Sequence, residues 1–297
     1  MKTYEQYSIE PVGAIPGGEA YLLLTEGKQV LIDTGYSFCA GQLVRNLRER
    51  LGGRKLDYVL LTHSHYDHAS GTPACCLEFP EAEVIAGTKA AQVFAKPSAL
   101  AAMRRLNDQA ADRLHVSPDR DGLEGLRVDR MVSEGDTIDL GPFSLQVYET
   151  PGHTKCSLAF FSPENDLLIS SETLGLPMGK RLNKPGYLIG YQMTIDSIRK
   201  IQALRPRTLL IPHNGLYMEE TPDEFFQQSL FWAERIKNMV VDYYRRGASK
   251  ETIIQVFKSI YYYQKIGRQQ IEEAFLLNAS IMVRMLLREC LGVDIDS

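Results

Sequence analysis

Two kinds of hydrophobic pattern divide this chain. Up to about residue 217, short runs rich in Val, Ile, Leu, Tyr and Phe alternate with stretches in which apolar residues return every three or four positions. The first kind marks strands and the second amphipathic helices. Strands are predicted over 20–25 and 29–33, joined by the turn-like Glu26-Gly27-Lys28, and then over 58–61, 82–86, 143–150, 157–162, 166–170 and 207–211. Helices are predicted over 40–51, 88–94 and 98–115. This alternation specifies an α/β fold class with paired strands.

After Tyr217 the period is helical almost to the end. Thr221-Pro222-Asp223-Glu224 sets a capping threonine before a proline suited to a first helical turn, with glutamate three residues after the threonine, the pattern of a capping box. Phe226, Leu230, Ala233, Ile236, Val240 and Tyr244 then build one apolar face. Gly247-Ala248-Ser249 ends that helix, and two more are predicted over 250–259 and 269–289, the last with a stripe that includes Ile271, Phe275, Asn278, Met282, Met285 and Leu286. No internal repeat and no low-complexity linker is present. The chain therefore reads as a domain over 1–217 carrying a docked helical extension over 218–297.

Composition narrows the function classes. The 297 residues are 44% hydrophobic, ordinary for a soluble globular protein and enough for a sizeable core. A net charge of −4 without any Lys/Arg-rich block gives no support for a nucleic-acid surface. The first seven residues lack the apolar core of a secretory signal, and no run approaches the ~18 apolar residues of a membrane span. The expectation is a cytoplasmic protein, not attached to a membrane, acting on a small-molecule substrate. An odd count of five cysteines without framework spacing agrees with a reducing compartment. Cys75 and Cys76 are adjacent and poorly placed to pair, and Cys39, Cys156 and Cys290 are expected as small buried residues.

Chemistry concentrates directly after the apolar run Tyr58-Val59-Leu60-Leu61. There, Thr62-His63-Ser64-His65-Tyr66-Asp67-His68 places three of the chain's six histidines and one carboxylate in immediate succession. Neighbouring imidazoles gain little from proximity unless a cation holds them, so His63, His65, Asp67 and His68 are predicted metal ligands. Two cations about 3.5–4 Å apart need two ligand sets and a shared anion that offsets their repulsion. Of the remaining histidines, His153 in Thr150-Pro151-Gly152-His153-Thr154 and His213 in Leu210-Ile211-Pro212-His213-Asn214-Gly215 follow predicted strands. His115 ends helical text and is assigned no metal. Glu172, where the 166–170 strand stops, is the candidate shared carboxylate. These N and O donors suit Zn, Fe(II) or Mn, and two divalent ions with zinc foremost are the expected cofactors.

The 63–68 motif, Leu31-Ile32-Asp33-Thr34-Gly35, Pro151-Gly152-His153-Thr154, Glu172 and Pro212-His213 together resemble the metallo-β-lactamase fold superfamily of metal hydrolases, over about residues 8–217 and in unchanged order. The resemblance implies a four-layer αβ/βα sandwich with the site on one edge and a C-terminal helical cap packed over that edge. It implies His63, His65 and His153 on one metal, Asp67, His68 and His213 on the second, and Glu172 bridging. It also implies that Asp33 orients a ligating imidazole. The helical extension, with Glu172-Thr173-Leu174-Gly175, is similar to the bacterial quinolone-signal response thioesterases that act on 2-aminobenzoylacetyl-CoA.

Two positions depart from the superfamily's pattern. Aspartate usually stands where this chain has Glu172, whose extra methylene carries its oxygens roughly 1.5 Å further. The last histidine usually follows a glycine after the proline, whereas His213 follows Pro212 directly, and a one-residue shift in an extended segment turns a side chain to the opposite face. Whether one metal or two are held stays open at this level.

The implied reaction is hydrolysis by a metal-bound hydroxide, with Asp67 and Glu172 as the catalytic carboxylates that hold and orient it. A thioester is the substrate needing least further help, because its thiol ionises near pH ~8.5 and leaves without a strong acid; esters and lactones are related carbonyl substrates. The alternatives are a phosphodiesterase on the same fold, and a regulatory protein whose metal site is structural or vestigial. The basic loop Gly179-Lys180-Arg181-Leu182-Asn183-Lys184 is a candidate to receive a substrate phosphate or carboxylate. The oligomeric state is open, a homodimer included.

Overall fold

A computed structural model describes residues 7–118 and 122–295. Residues 1–6, most of the N-terminal stretch considered above, lie outside the described residues. The chain divides into two compact units, one of the residues up to Glu149 together with Leu158–Ile169, the other of Thr150–Ser157 together with the chain from Ser170 on.

The first unit is built on a six-stranded sheet in sequence order: β1 (Tyr7–Pro11), β2 (Tyr21–Thr25), β3 (Gln29–Ile32), β4 (Tyr58–Leu61), β5 (Glu83–Gly87) and β6 (Arg130–Val132). β1 to β3 pair antiparallel, and β3 to β6 pair parallel. Parallel neighbours need crossovers, supplied by α1 (Ala40–Leu51), the short α2 (Tyr66–Ala69) and α3 (Thr72–Glu78), and α4 (Thr88–Phe94) with α5 (Pro97–Arg113). Val59, Leu60 and Leu61 are wholly buried, as an unbroken apolar run in a strand covered on both faces must be. A second ladder of the unit, β7 (Thr137–Asp139), β8 (Ser144–Glu149), β9 (Leu158–Ser162) and β10 (Leu167–Ile169), is antiparallel throughout. β1, β6 and β7 were not predicted. Each is short and ends its sheet, so it carries little period-two signal.

Parallel pairing matters for the chemistry, because it brings the carboxyl ends of β3 and β4 to the same edge. In register Ile32 faces Leu60, and Asp33 N donates to Leu60 O at 2.9 Å. Asp33 and the 62–68 segment therefore emerge side by side, where open α/β sheets place their sites.

The second unit holds β11 (Leu176–Pro177) paired with β12 (Asn183–Lys184), α6 (Tyr191–Gln202), the hairpin of β13 (Thr208–Ile211) and β14 (Gly215–Leu216), then α7 (Pro222–Arg245), α8 (Lys250–Tyr261), a π-helical turn over Tyr262–Ile266, α9 (Gly267–Gln269) and α10 (Glu272–Leu291). The capping box of α7 forms in full. Thr221 Oγ1 accepts from Glu224 N at 3.2 Å, and Glu224 Oε2 accepts from Thr221 N at 2.8 Å. Tyr187, Ile236, Val240, Phe257, Tyr261 and Phe275 share one core, which explains the apolar faces of α7, α8 and α10. Phe231 and Tyr263 are exposed.

α6 was not predicted, although Ile195, Ile198 and Ile201 recur at helical steps and are buried. Their β-branching and the intervening Thr and Ser depress helix propensity, and packing overrides it. The helix predicted over 269–289 starts later, at Glu272, because the π-turn and an extended Gln270 interrupt the chain. All five cysteines are thiols; Cys156 is buried, Cys39 half-buried, and Cys290 exposed rather than buried, near the end of α10. No described helix is long and apolar enough to cross a membrane.

Candidate metal centre

In the first unit the histidine motif leaves β4 at Thr62 and turns into α2, which carries Asp67 and His68. His65 opens that turn, its carbonyl accepting from His68 N and Ala69 N at 3.1 Å each. Thr34 pins the turn from the β3 side, donating to His68 O from its backbone nitrogen at 2.7 Å and its hydroxyl at 3.0 Å. The rings gather closely: His63 lies 4.7 Å from His65 and 4.2 Å from His68, centroid to centroid. His63, Asp67 and His68 are buried, and His65 is half-buried.

Asp33 explains how these rings are oriented. Its backbone is left-handed, φ 56°, a conformation in which aspartate is enriched among non-glycine residues. From there Oδ1 accepts from Thr62 N at 2.8 Å, while Oδ2 accepts from Thr62 Oγ1 and from His68 Nδ1, also at 2.8 Å. His68 thus donates from Nδ1 to a carboxylate, which makes Nε2 the nitrogen available to address a metal. The Thr62 hydroxyl spends its one proton on Asp33, so at 3.1 Å it accepts from His63 Nδ1, and Nε2 is again the nitrogen turned to a metal. Thr62 had no assigned role in the sequence; its only signal was its place beside the motif.

In the second unit His153 donates from Nδ1 to Gly186 O at 2.8 Å, which again directs the Nε2 lone pair outward. That nitrogen lies 3.6 Å from Glu172 Oε2, and His213 Nε2 lies 3.2 Å from Glu172 Oε1. One carboxylate therefore addresses two imidazoles, one with each oxygen. Glu172 and His153 are buried. Glu172 sits in a short 3₁₀ turn, Glu172–Leu174, that follows β10 in sequence, so its longer side chain springs from a tightly coiled backbone.

The one-residue shift at Pro212-His213 is absorbed in the backbone. Asn214 N donates to Ile211 O at 3.1 Å, closing a turn with Pro212 second and His213 third. His213 has φ 60°, the signature of a type II turn whose third position normally takes glycine or asparagine. This left-handed residue swings the imidazole to Glu172 instead of away from it.

Three features fit these donors to divalent cations. The rings of His63, His68 and His153 are each held through Nδ1, the arrangement that orients ligating histidines. Buried carboxylates need positive charge to offset their desolvation. Two donors about 2.0–2.2 Å from one tetrahedral ion lie ~3.3–3.6 Å apart, and the Glu172 pairs, at 3.2 and 3.6 Å, sit just under and at that spacing. Asp67 Oδ2 and His68 Nε2 are 3.8 Å apart, and ligand atoms of His63 and His65 lie within 4.8 Å.

Residues 16–213, a span that contains every predicted ligand, match the family model of the metallo-beta-lactamase superfamily. The chain belongs to this superfamily. It is 26% identical over 218 residues to the metallo-beta-lactamase fold-containing protein ST1585 of Sulfurisphaera tokodaii, covering 71% of this chain and 77% of the relative. It is 30% identical over 171 residues to a hydroxyacylglutathione hydrolase of Cereibacter sphaeroides, covering 58% of this chain and 52% of the relative, so the match spans about half that relative's length. Among solved structures, the metallo-beta-lactamase family protein TTHA1429 of Thermus thermophilus superposes with a TM-score of 0.64 at 18% identity, covering 96% of this chain and 94% of the other. A match that long takes in the C-terminal helices. The superfamily's α/β fold of mixed sheets and helices, expected from the resemblance, is thus the fold of this chain.

Of the basic loop proposed for substrate anions, Lys180 and Arg181 are exposed and Lys184 is buried. The loop is tied to the tail: Arg181 N donates to Glu220 Oε1, and Trp232 Nε1 donates to Arg181 O. Further along, Tyr261 OH donates to Asn183 O at 3.1 Å and Tyr187 OH to Ala233 O at 3.0 Å. The strap that supplies Gly186 O to His153 is therefore fastened to α7 and α8.

Proposed function

We propose that this chain is a dinuclear metal hydrolase acting on thioesters or related carbonyl compounds, esters and lactones included. His63, His65 and His153 would hold one divalent ion, Asp67, His68 and His213 the other, and Glu172 both, the division that the superfamily resemblance implies. The observation that carries the reading is the split of Glu172 between His153 and His213, the behaviour required of a bridging carboxylate. Bound ions of this kind supply Lewis acidity and bring a water's pKa near neutrality.

The residues do the rest. Asp33 and Thr62 leave Nε2 as the nitrogen that His68 and His63 turn to a metal, and Gly186 does so for His153. Asp67 and Glu172 act as the catalytic carboxylates, their oxygens accepting from the attacking water and aiming it at the carbonyl carbon. No serine or cysteine nucleophile is required. A thiol leaving group ionises near ~8.5 and departs without an acid residue, which favours thioesters. The hydroxyacylglutathione hydrolase relatives, named for a glutathione thioester, lean the same way. Residues 218–297 serve as an extension that packs over the His153, Glu172 and His213 edge and shapes the pocket for a small-molecule substrate.

A panel of an acyl thioester, a lactone and a bis-aryl phosphate, run on zinc-, iron- and manganese-loaded protein, tests the reading. It predicts fastest turnover of the thioester. Preference for the phosphate diester, or full rate in His63→Ala, contradicts it.

A further inference from the structure

The helical tail reaches the candidate centre through Gln269. Gln269 Nε2, at the end of α9, donates to the carbonyl oxygen of His213 at 3.0 Å. We infer that Gln269 is the positioning residue of His213, so that the tail sets the affinity of the ion His213 holds. The inference rests on the dinuclear reading above.

Three observations converge on this bond. His213 occupies the left-handed position of its turn, where a residue with a Cβ has no strong intrinsic preference to stay. On one side the turn is closed by Asn214, whose backbone nitrogen reaches Ile211 O and whose Nδ2 reaches Pro212 O at 3.1 Å each. Those bonds leave the carbonyl of His213 itself to be fixed from elsewhere. Gln269 does this, and fixing that peptide plane fixes the frame from which the imidazole points at Glu172.

The tail is locally built to deliver the carboxamide. α8 does not run straight into the next helix; it widens into the π-turn Tyr262–Ile266, a distortion that often marks functional positions. Gly267 follows, and a Cβ there would stand 2.8 Å from Tyr262 O. α9 lasts only to Gln269, after which Gln270 leaves in extended conformation, φ −130° and ψ 141°. Removing the π-turn would rotate Gln269 away from the 211–214 turn. A glutamine is suited to the task because Nε2 is its donor, and it adds no charge beside a metal ligand.

Titration of metal-free protein with zinc against a chromogenic chelator tests this. Wild type should take up two ions, and the step abolished by His213→Ala identifies the ion concerned. Gln269→Ala, and the near-isosteric Gln269→Glu, which offers no donor to a carbonyl, should each weaken that step roughly tenfold or more and leave the other unchanged. The thermal midpoint of the metal-free variants should stay at the wild-type value, since a purely structural role would lower it. Two ions bound by wild type with both steps unchanged in both variants overturns the inference alone. Equal weakening of both steps, or a lowered metal-free midpoint with an unchanged His213 step, also overturns it. A single ion bound by wild type overturns the dinuclear reading and this inference with it.

Discussion

His153 gives its Nδ1 proton to the carbonyl oxygen of Gly186 at 2.8 Å, and that bond decides which nitrogen the ring has left for a metal. Gly186 can offer its carbonyl only because its backbone passes very close to Glu172: a Cβ at 186 would lie 1.8 Å from Glu172 O. The residue that orients one ligand is thus pressed against the residue that supplies another.

Gly186→Ala should therefore damage both. The strap must retreat, at a cost of ~1–3 kcal/mol for the overpacking, and His153 loses its acceptor. Metal on the ion held by His153 should weaken by at least ~10-fold, the usual effect of removing an orienting partner. Chelator competition and thermal unfolding of the variant read the two effects separately.

Thr62 should act through its hydroxyl alone. Thr62→Val keeps the shape of the side chain but removes both the donor to Asp33 and the acceptor for His63 Nδ1. The His63 ring then has no fixed tautomer, and its ion should weaken by about tenfold, whereas Thr62→Ser should retain wild-type affinity. Equal affinities in the Val and Ser variants would contradict the relay from Asp33 through Thr62 to His63.

Acid sensitivity has a separate source, remote from the motif. Burial pushes the Asp57 carboxyl up, but the Gln29 N–H and the Lys55 and Lys28 ammonium groups outweigh it and hold the carboxyl below its usual value. Folding therefore favours the ionised form. The stabilisation is complete above the unfolded value of ~3.9 and is lost as pH falls through the lower folded value. Asp57→Asn should be less stable than wild type at pH 6, and the gap should narrow as the pH drops below about 4, as read from urea midpoints.

Much of this architecture is legible in the residues. The 63–68 motif declares its chemistry because imidazoles at that density have few other uses, and Thr221-Pro222-Asp223-Glu224 caps α7 as its side chains predict. Glu172, His153 and His213 follow from asking what a two-metal set lacks, and the structure brings those three together in one unit. What the sequence hides is held by main chain. Gly186 acts through its carbonyl, which every residue possesses, so no side chain advertises the role. Gln269 is silent for a related reason: its acceptor is the His213 carbonyl, and only the π-turn before it sets the direction. The shift at Pro212-His213 looked like a side chain turned the wrong way because an extended backbone was assumed, and the left-handed φ of His213 removes the conflict. Asp33 was assigned by resemblance alone, yet its three accepted hydrogen bonds give the physical reason.

The central claim is that Glu172 joins two ions, and metal stoichiometry tests it most directly. Protein purified without added metal, then loaded with zinc and freed of excess, should carry two ions per chain by elemental analysis. Glu172→Asp should keep the metal, and Glu172→Ala should fall to one ion or fewer with loss of hydrolysis. Two ions per chain and an unchanged rate in Glu172→Ala, or fewer than two in wild type, would contradict the account.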